Sequence, residues 1–156
     1  MRWHYRDAAL LWLFPPAYAV HVVEELVAGE GFPVWVARIV GSPLPLRGFL
    51  LLNFVGMVLL LAAVRRAIRD ERSGWLAIAV GTIAAVNGIA HVLGTLITGR
   101  YSPGLISGVV LYVPLGALTL LRAASQADPG TVTRGVCAGV TIHVAVFVSA
   151  FLLSRA

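Results

Sequence analysis

The sequence predicts an all-α bundle of about five transmembrane helices, and three observations point to it. The chain of 156 residues is 59% hydrophobic and only 12% charged, about half the ionised fraction that covers a water-soluble domain. Its mean hydropathy is +0.89. Its apolar residues fall into five runs near the roughly 20 residues that cross a hydrocarbon core. These features exclude a soluble globular domain, a disordered chain and a nucleic-acid-binding domain. The net charge of +5 comes from 12 basic residues, all arginine, set between the apolar runs, where membrane topology explains them. The whole chain, 1–156, reads as one integral membrane domain.

Each element follows from its own pattern, with spans expected near residues 8–28, 48–64, 75–97, 105–121 and 136–153. In the first, Pro15 and Pro16 kink or restart the helix. The link 30–47 holds Phe32, Trp35, Val36, Ile39 and Val40 around Arg38, between prolines at 33, 43 and 45. It is expected as a short helix in the membrane interface with its aromatics as anchors. The second, fourth and fifth runs are short and should stand nearly upright. The polar, small-residue stretch 122–134 reads as a loop. Gly104–Gly108 and Gly135–Gly139 have the spacing that lets helices pack closely. Cys137 lies within an apolar run, so no disulfide framework is expected. The first run outlasts a cleavable signal and carries acids, so it is expected to remain.

Five spans put the termini on opposite sides. Arg2, Arg6, Arg65, Arg66, Arg69, Arg72, Arg122 and Arg134 share the amino-terminal side, and Arg38, Arg47, Arg100 and Arg155 the other. The excess predicts a cytoplasmic amino terminus and an external carboxyl terminus in a bacterial inner or plasma membrane. Membrane lipids are the expected surroundings, and the basic loop 65–72 could touch anionic ones.

Ionisable groups in a span are costly to insert, so each one is informative. His21, Glu24 and Glu25 lie in the first, Asn53 in the second, Asn87 and His91 in the third and His143 in the fifth. At 1.5 Å per residue, His21, Asn53 and His91 fall about 7–10 Å below the outer surface, and Asn87 and His143 about 15 Å below it. Polar residues from four spans thus converge on one half of the membrane. His4 and Asp7 lie far from the cluster, at the cytoplasmic boundary.

Helical spacing puts Glu24 and Glu25 on the same face as His21, and Asn87 on the same face as His91. A histidine with a carboxylate one turn on, opposite a second histidine, is how helical bundles build metal sites. His21, Glu25, His91 and His143 are the candidate ligands of one divalent ion, zinc before iron. Adjacent acids point about 100° apart on a helix, so one of Glu24 and Glu25 would ligate and the other act as base. Alternatives stand beside each assignment. His21 with Glu25, or Asn87 with His91, could be internal polar pairs, and His143 a packed neutral imidazole. Asn53 reads as helix-packing glue.

The same residues resemble a known family. His21-Val-Val-Glu24-Glu25 fits the HxxEE motif that names a family of small bacterial integral membrane proteins. Asn87-Gly-Ile-Ala-His91 matches its NxxxH motif and Tyr101-Ser-Pro103-Gly104 its YxPG motif, in the family's order. The resemblance implies a membrane location and an enzymatic role, and supplies no substrate. Pro103 suits the first turn of the fourth span, and Gly104 permits close backbone approach. Tyr101 is then either a hydrogen-bond donor over the site or an interfacial anchor, and Arg100 either an anion-binding group or a helix-end charge.

Three functions are compatible with this pattern. The first is an intramembrane metal-dependent hydrolase acting on a lipid or amphipathic molecule. Glu24 or Glu25 would activate water, and Asn87 and Tyr101 would orient the substrate. The second is a proton- or ion-coupled carrier, which five spans would favour as a homodimer. The third is a structural membrane protein whose polar residues only set packing.

Overall fold

The computed structural model describes residues 5–155, with side chains from Ala8 onward; Arg2 and His4 lie outside the described residues, as do the side chains of Arg6 and Asp7. Among the described residues there is no strand, and five helical stretches are long and apolar enough to span a bilayer. The molecule is an all-α integral membrane protein.

The first span, Ala8–Val27, consists of α1 (Tyr5–Leu11) and α2 (Phe14–Val27). Pro15 cannot donate to the carbonyl of Leu11 and its ring crowds that oxygen, so the first helix stops and a second starts with proline in its opening turn. Gly29 and Gly31, both at positive φ, turn the chain into two single turns, α3 (Phe32–Trp35) and α4 (Ala37–Val40).

This link departs from the expected interfacial helix. Trp35 and Val36 are buried, and with Val40, Leu44 and Phe49 they form an apolar cluster that Val22, Phe32, Ala150 and Leu153 complete. Val34 and Ile39 face outward instead. The indole can turn inward because Gly94 leaves it room: a methyl there would stand 2.6 Å from the ring. The link is therefore a plug over one end of the bundle, clamped by a two-pronged Arg38–Glu30 pair at 2.7 and 3.0 Å.

Span two, α5 (Leu46–Arg69), runs beyond the apolar stretch. Its last turn carries Arg66 and Arg69, whose charge opposes the negative end of the helix dipole. A 3-10 turn, Glu71–Ser73, leads into α6 (Gly74–Thr98). This third span is the central helix, packed against the second, fourth and fifth.

Span four begins as α7 (Leu105–Ser107), widens through a π turn (Gly108–Tyr112), and continues as α8 (Val113–Gln126). Pro114 lies in the first turn of α8 and lacks the N–H that a regular ladder needs, which accounts for the widening. The fifth span, α9 (Pro129–Arg155), starts far earlier than the apolar run suggested. Only Ala127 and Asp128 connect it to α8, so the expected loop 122–134 is mostly helix. Asp128 accepts from the Thr131 amide at 2.9 Å and its hydroxyl at 2.7 Å, while Pro129 opens the helix.

Lipid cannot drive apolar helices together as water does, so close contact must hold them. Gly108 sits 3.2 Å from the Cα of Gly88, measured from its own added methyl position, and Gly135 and Gly139 lie against Ile78 and Thr82. A second apolar cluster, of Leu11, Phe14, Ala17, Val64, Ala67, Ala77, Val80, Ala84 and Tyr112, fills the other end of the bundle. Phe54 and Leu59 on α5 and Val144 and Phe147 on α9 are exposed, making an apolar perimeter suited to hydrocarbon.

Candidate metal centre

The polar residues of the first and third spans meet between the two apolar clusters. His21, from α2, stacks its ring on Tyr112 of one cluster at 4.3 Å between centroids. His91, from α6, meets the edge of Phe32 beside the other cluster at 5.8 Å. The two imidazoles are 5.0 Å apart and steeply inclined at 73°. Glu25 lies one turn after His21, and its Oε1 is 3.6 Å from Nε2 of His21 and 3.4 Å from Nε2 of His91. All three side chains are buried. They offer three ligand atoms within 4.8 Å of one another, a group that could hold a metal ion.

The other nitrogen of each ring is fixed by a serine. Nδ1 of His21 is 2.8 Å from Oγ of Ser107, and Nδ1 of His91 is 2.9 Å from Oγ of Ser102. With Nδ1–H donating to serine, each Nε2 has a free lone pair toward Glu25, the tautomer that a metal requires. Neither serine was singled out in the sequence. Ser102 is the second residue of the YxPG motif, and Ser107 lies one turn into the fourth span. Replacing either by alanine should lower metal affinity about 10–100-fold, the usual cost of losing the partner that orients a ligating histidine. Equilibrium metal titration would measure it, and unchanged affinity in both variants would remove the serines from the site.

The YxPG segment has a direct geometric reason. Ser102–Leu105 is a tight turn closed by the Leu105 amide on the Ser102 carbonyl at 2.9 Å. Pro103 supplies its first central residue and Gly104, at φ +101 and ψ −6, its second, the pattern of a type II turn. Pro103 thus precedes the helix rather than lying in its first turn as expected. A methyl on Gly104 would stand 2.7 Å from Cε1 of His91 and 2.8 Å from Cε1 of His21. The backbone of this turn is the wall against which both imidazoles rest.

The two acids separate. Glu24 is not in the ligand group. Its carboxylate accepts from the amides of Ile106 at 2.9 Å and Ser107 at 2.7 Å, and from the hydroxyl of Tyr101. Those amides are unpaired donors at the start of the fourth span, where Gly104 offers no side chain, so Glu24 caps that helix from another span. Tyr101 is accordingly spent on Glu24. Loss of solvent and its bond to that carboxylate push its pKa up to about 12.

The remaining expectations sort as follows. His143 is half-buried and lies outside the ligand group. Asn87 has a buried Oδ1 without a partner, and Nδ1 of His91 bonds Ser102 rather than Asn87. Asn53 joins the first two spans: Tyr18 donates to its Oδ1 at 2.8 Å, and its Nδ2 donates to the Phe49 carbonyl at 3.0 Å.

A family model described as proteins of unknown function with an HXXEE motif matches residues 12–119, which include every residue of the site. No curated protein and no solved structure matches the chain.

Proposed function

The chain belongs to the family of proteins with an HXXEE motif, and from that premise we propose that it is an intramembrane metal-dependent hydrolase acting on a lipid or amphipathic substrate. The observation that carries this is the triangle of His21, Glu25 and His91. Its Nε2–Oε1 separations of 3.4 and 3.6 Å are longer than hydrogen bonds. They are close to the roughly 3.3–3.4 Å between ligands placed tetrahedrally about 2.0–2.1 Å from zinc. Nε2 of His21 has no hydrogen-bond partner although it is buried. A cation at the centre would satisfy all three atoms, which apolar surroundings otherwise make costly.

Two imidazoles and one carboxylate match the donor set of catalytic zinc sites, which keep a fourth position open. The same set also suits ferrous iron, and zinc is the first choice because a compact nitrogen and oxygen site needs no redox partner. A bound divalent ion would supply Lewis acidity and a source of hydroxide at neutral pH. The protein's part is to hold Nε2 of each histidine forward through Ser107 and Ser102. Glu25 contributes the negative charge that favours a cation.

The substrate class follows from position. His21 is six residues from the end of α2, about 9 Å of helix, and its neighbours Val20, Val23 and Val27 are exposed apolar side chains suited to hydrocarbon. A molecule reaching this depth must be at home in the bilayer.

Metal analysis of protein purified without added metal or chelator should find about one zinc or iron per chain. Protein so loaded should release fatty acid or headgroup from a membrane lipid extract, read by mass spectrometry. Metal-free protein with no affinity for zinc would end the proposal.

In this proposal the site lies toward the outer leaflet of a bacterial inner membrane, with the amino terminus cytoplasmic. Arg100 and Arg72 are both exposed, at opposite ends of the third span. In a Cys137→Ala background, Arg100→Cys should react with an impermeant thiol reagent on intact cells and Arg72→Cys should not. The opposite pattern would invert the topology.

A further inference from the structure

Tyr112 is the polar side chain at the triad whose hydroxyl nothing among the described residues satisfies. It is 5% exposed, and its hydroxyl is buried without a hydrogen-bond partner. Of the three tyrosines with described side chains, the other two are paired, Tyr18 with Asn53 and Tyr101 with Glu24. Its ring lies almost flat on His21, at 4.3 Å and 27°.

The ring otherwise belongs to the apolar cluster with Leu11, Phe14 and Ala17. Phenylalanine would fill that place equally well and would leave no donor stranded. A buried hydroxyl without a partner costs as much as a lost hydrogen bond. A partner that arrives with the ligand recovers that cost. Three other buried polar atoms are also unpaired, one of them Nε2 of His21 within the triad itself. Nε1 of Trp35 belongs to the plug, and Oδ1 of Asn87 can only accept. Tyr112 alone combines a donor with direct contact to a ligating imidazole.

We propose that Tyr112 donates a hydrogen bond to the oxygen atom of whatever molecule takes the open position beside His21, Glu25 and His91. The ligand is therefore an oxygen acceptor, the carbonyl of an ester or the phosphoryl oxygen of a headgroup. A phenol held there before the ligand arrives stabilises negative charge gathering on that oxygen without reorganising. This assignment rests on the metal-centre proposal.

The test uses full-length protein in detergent, loaded with cobalt and titrated with acetohydroxamate, an oxygen-donor probe followed by the visible absorption of the ion. Tyr112→Phe keeps the ring and its stack on His21. It should take up cobalt as the parent does and bind acetohydroxamate about tenfold or more weakly, as expected for loss of a hydrogen bond to a charged group. Equal affinity for acetohydroxamate in the two proteins overturns the role of Tyr112 while leaving the metal centre standing. Loss of cobalt from Tyr112→Phe also overturns it, because the hydroxyl would then be part of the frame of the site. Failure of the parent protein to bind cobalt, or of its cobalt form to bind the probe, overturns the metal-centre proposal and this assignment together.

Discussion

Glu25→Gln should strip the ion from a protein that Glu24→Gln leaves loaded. The two acids are neighbours in sequence, yet Glu25 faces both imidazoles, and Glu24 holds two amides and a tyrosine hydroxyl at the head of the fourth span. Removing the charge of Glu25 takes one of three donors and leaves two neutral imidazoles. The affinity loss should exceed the roughly 100-fold that an indirect partner can cost. Glu24→Gln keeps one acceptor oxygen and loses the other, together with the charge that favours a helix N-terminus. Its effect should be on stability, about 0.5–2 kcal/mol, with metal still bound. Zinc content and thermal unfolding, measured on both variants, separate the outcomes. If Glu24→Gln lost the ion and Glu25→Gln kept it, the assignment of the carboxylates would be reversed.

Gly104→Ala should be the most damaging single methyl in the molecule. At φ +101 an L-residue costs about 1–2 kcal/mol before any contact is counted. The added carbon would also press into both imidazoles, at 2.7 and 2.8 Å from their Cε1 atoms. Crowding of this kind costs about 1–3 kcal/mol more, for a total near 2–5 kcal/mol. Because the imidazoles must move to relieve it, metal binding should fall together with stability. Gly99 provides the control: it too has positive φ, but a methyl there meets nothing within 4 Å. Gly99→Ala should therefore lose stability alone. Equal losses of metal in the two variants would show that strain in the connection, rather than contact with the histidines, is responsible.

Much of this site was legible in the sequence because its physics is unusual there. Ionisable groups in apolar runs are few; depth already brought His21 and His91 to one level, and helical spacing put Glu25 on the face of His21. Depth does not fix direction, however. His143 lies on α9, which packs on α6 through Gly135 and Gly139, and it stays outside the ligand group. Glu24 and Glu25 could not be told apart, because the amides that claim Glu24 lie 82 and 83 positions further on. Serines 102 and 107 and Tyr112 gave no signal of their own: such residues are ordinary in membrane helices, and only the fold sets them beside histidines. The helix ends were misjudged for a simpler reason. Apolar runs mark where hydrocarbon lies, whereas helices continue until a cap or a proline stops them, as Asp128 and Pro129 do.

The π turn at Gly108–Tyr112 makes the fourth span face two ways. Above it, Ser107 must reach His21; below it, Gly116 and Thr119 must press against Gly81. A regular coil advances about 100° per residue, so cutting one residue from the wide turn would swing everything below it by more than a quarter of a revolution. Gene-level deletions here should thus be far more harmful than substitutions, and a single excised codon would unseat either the imidazole or the interhelical seam.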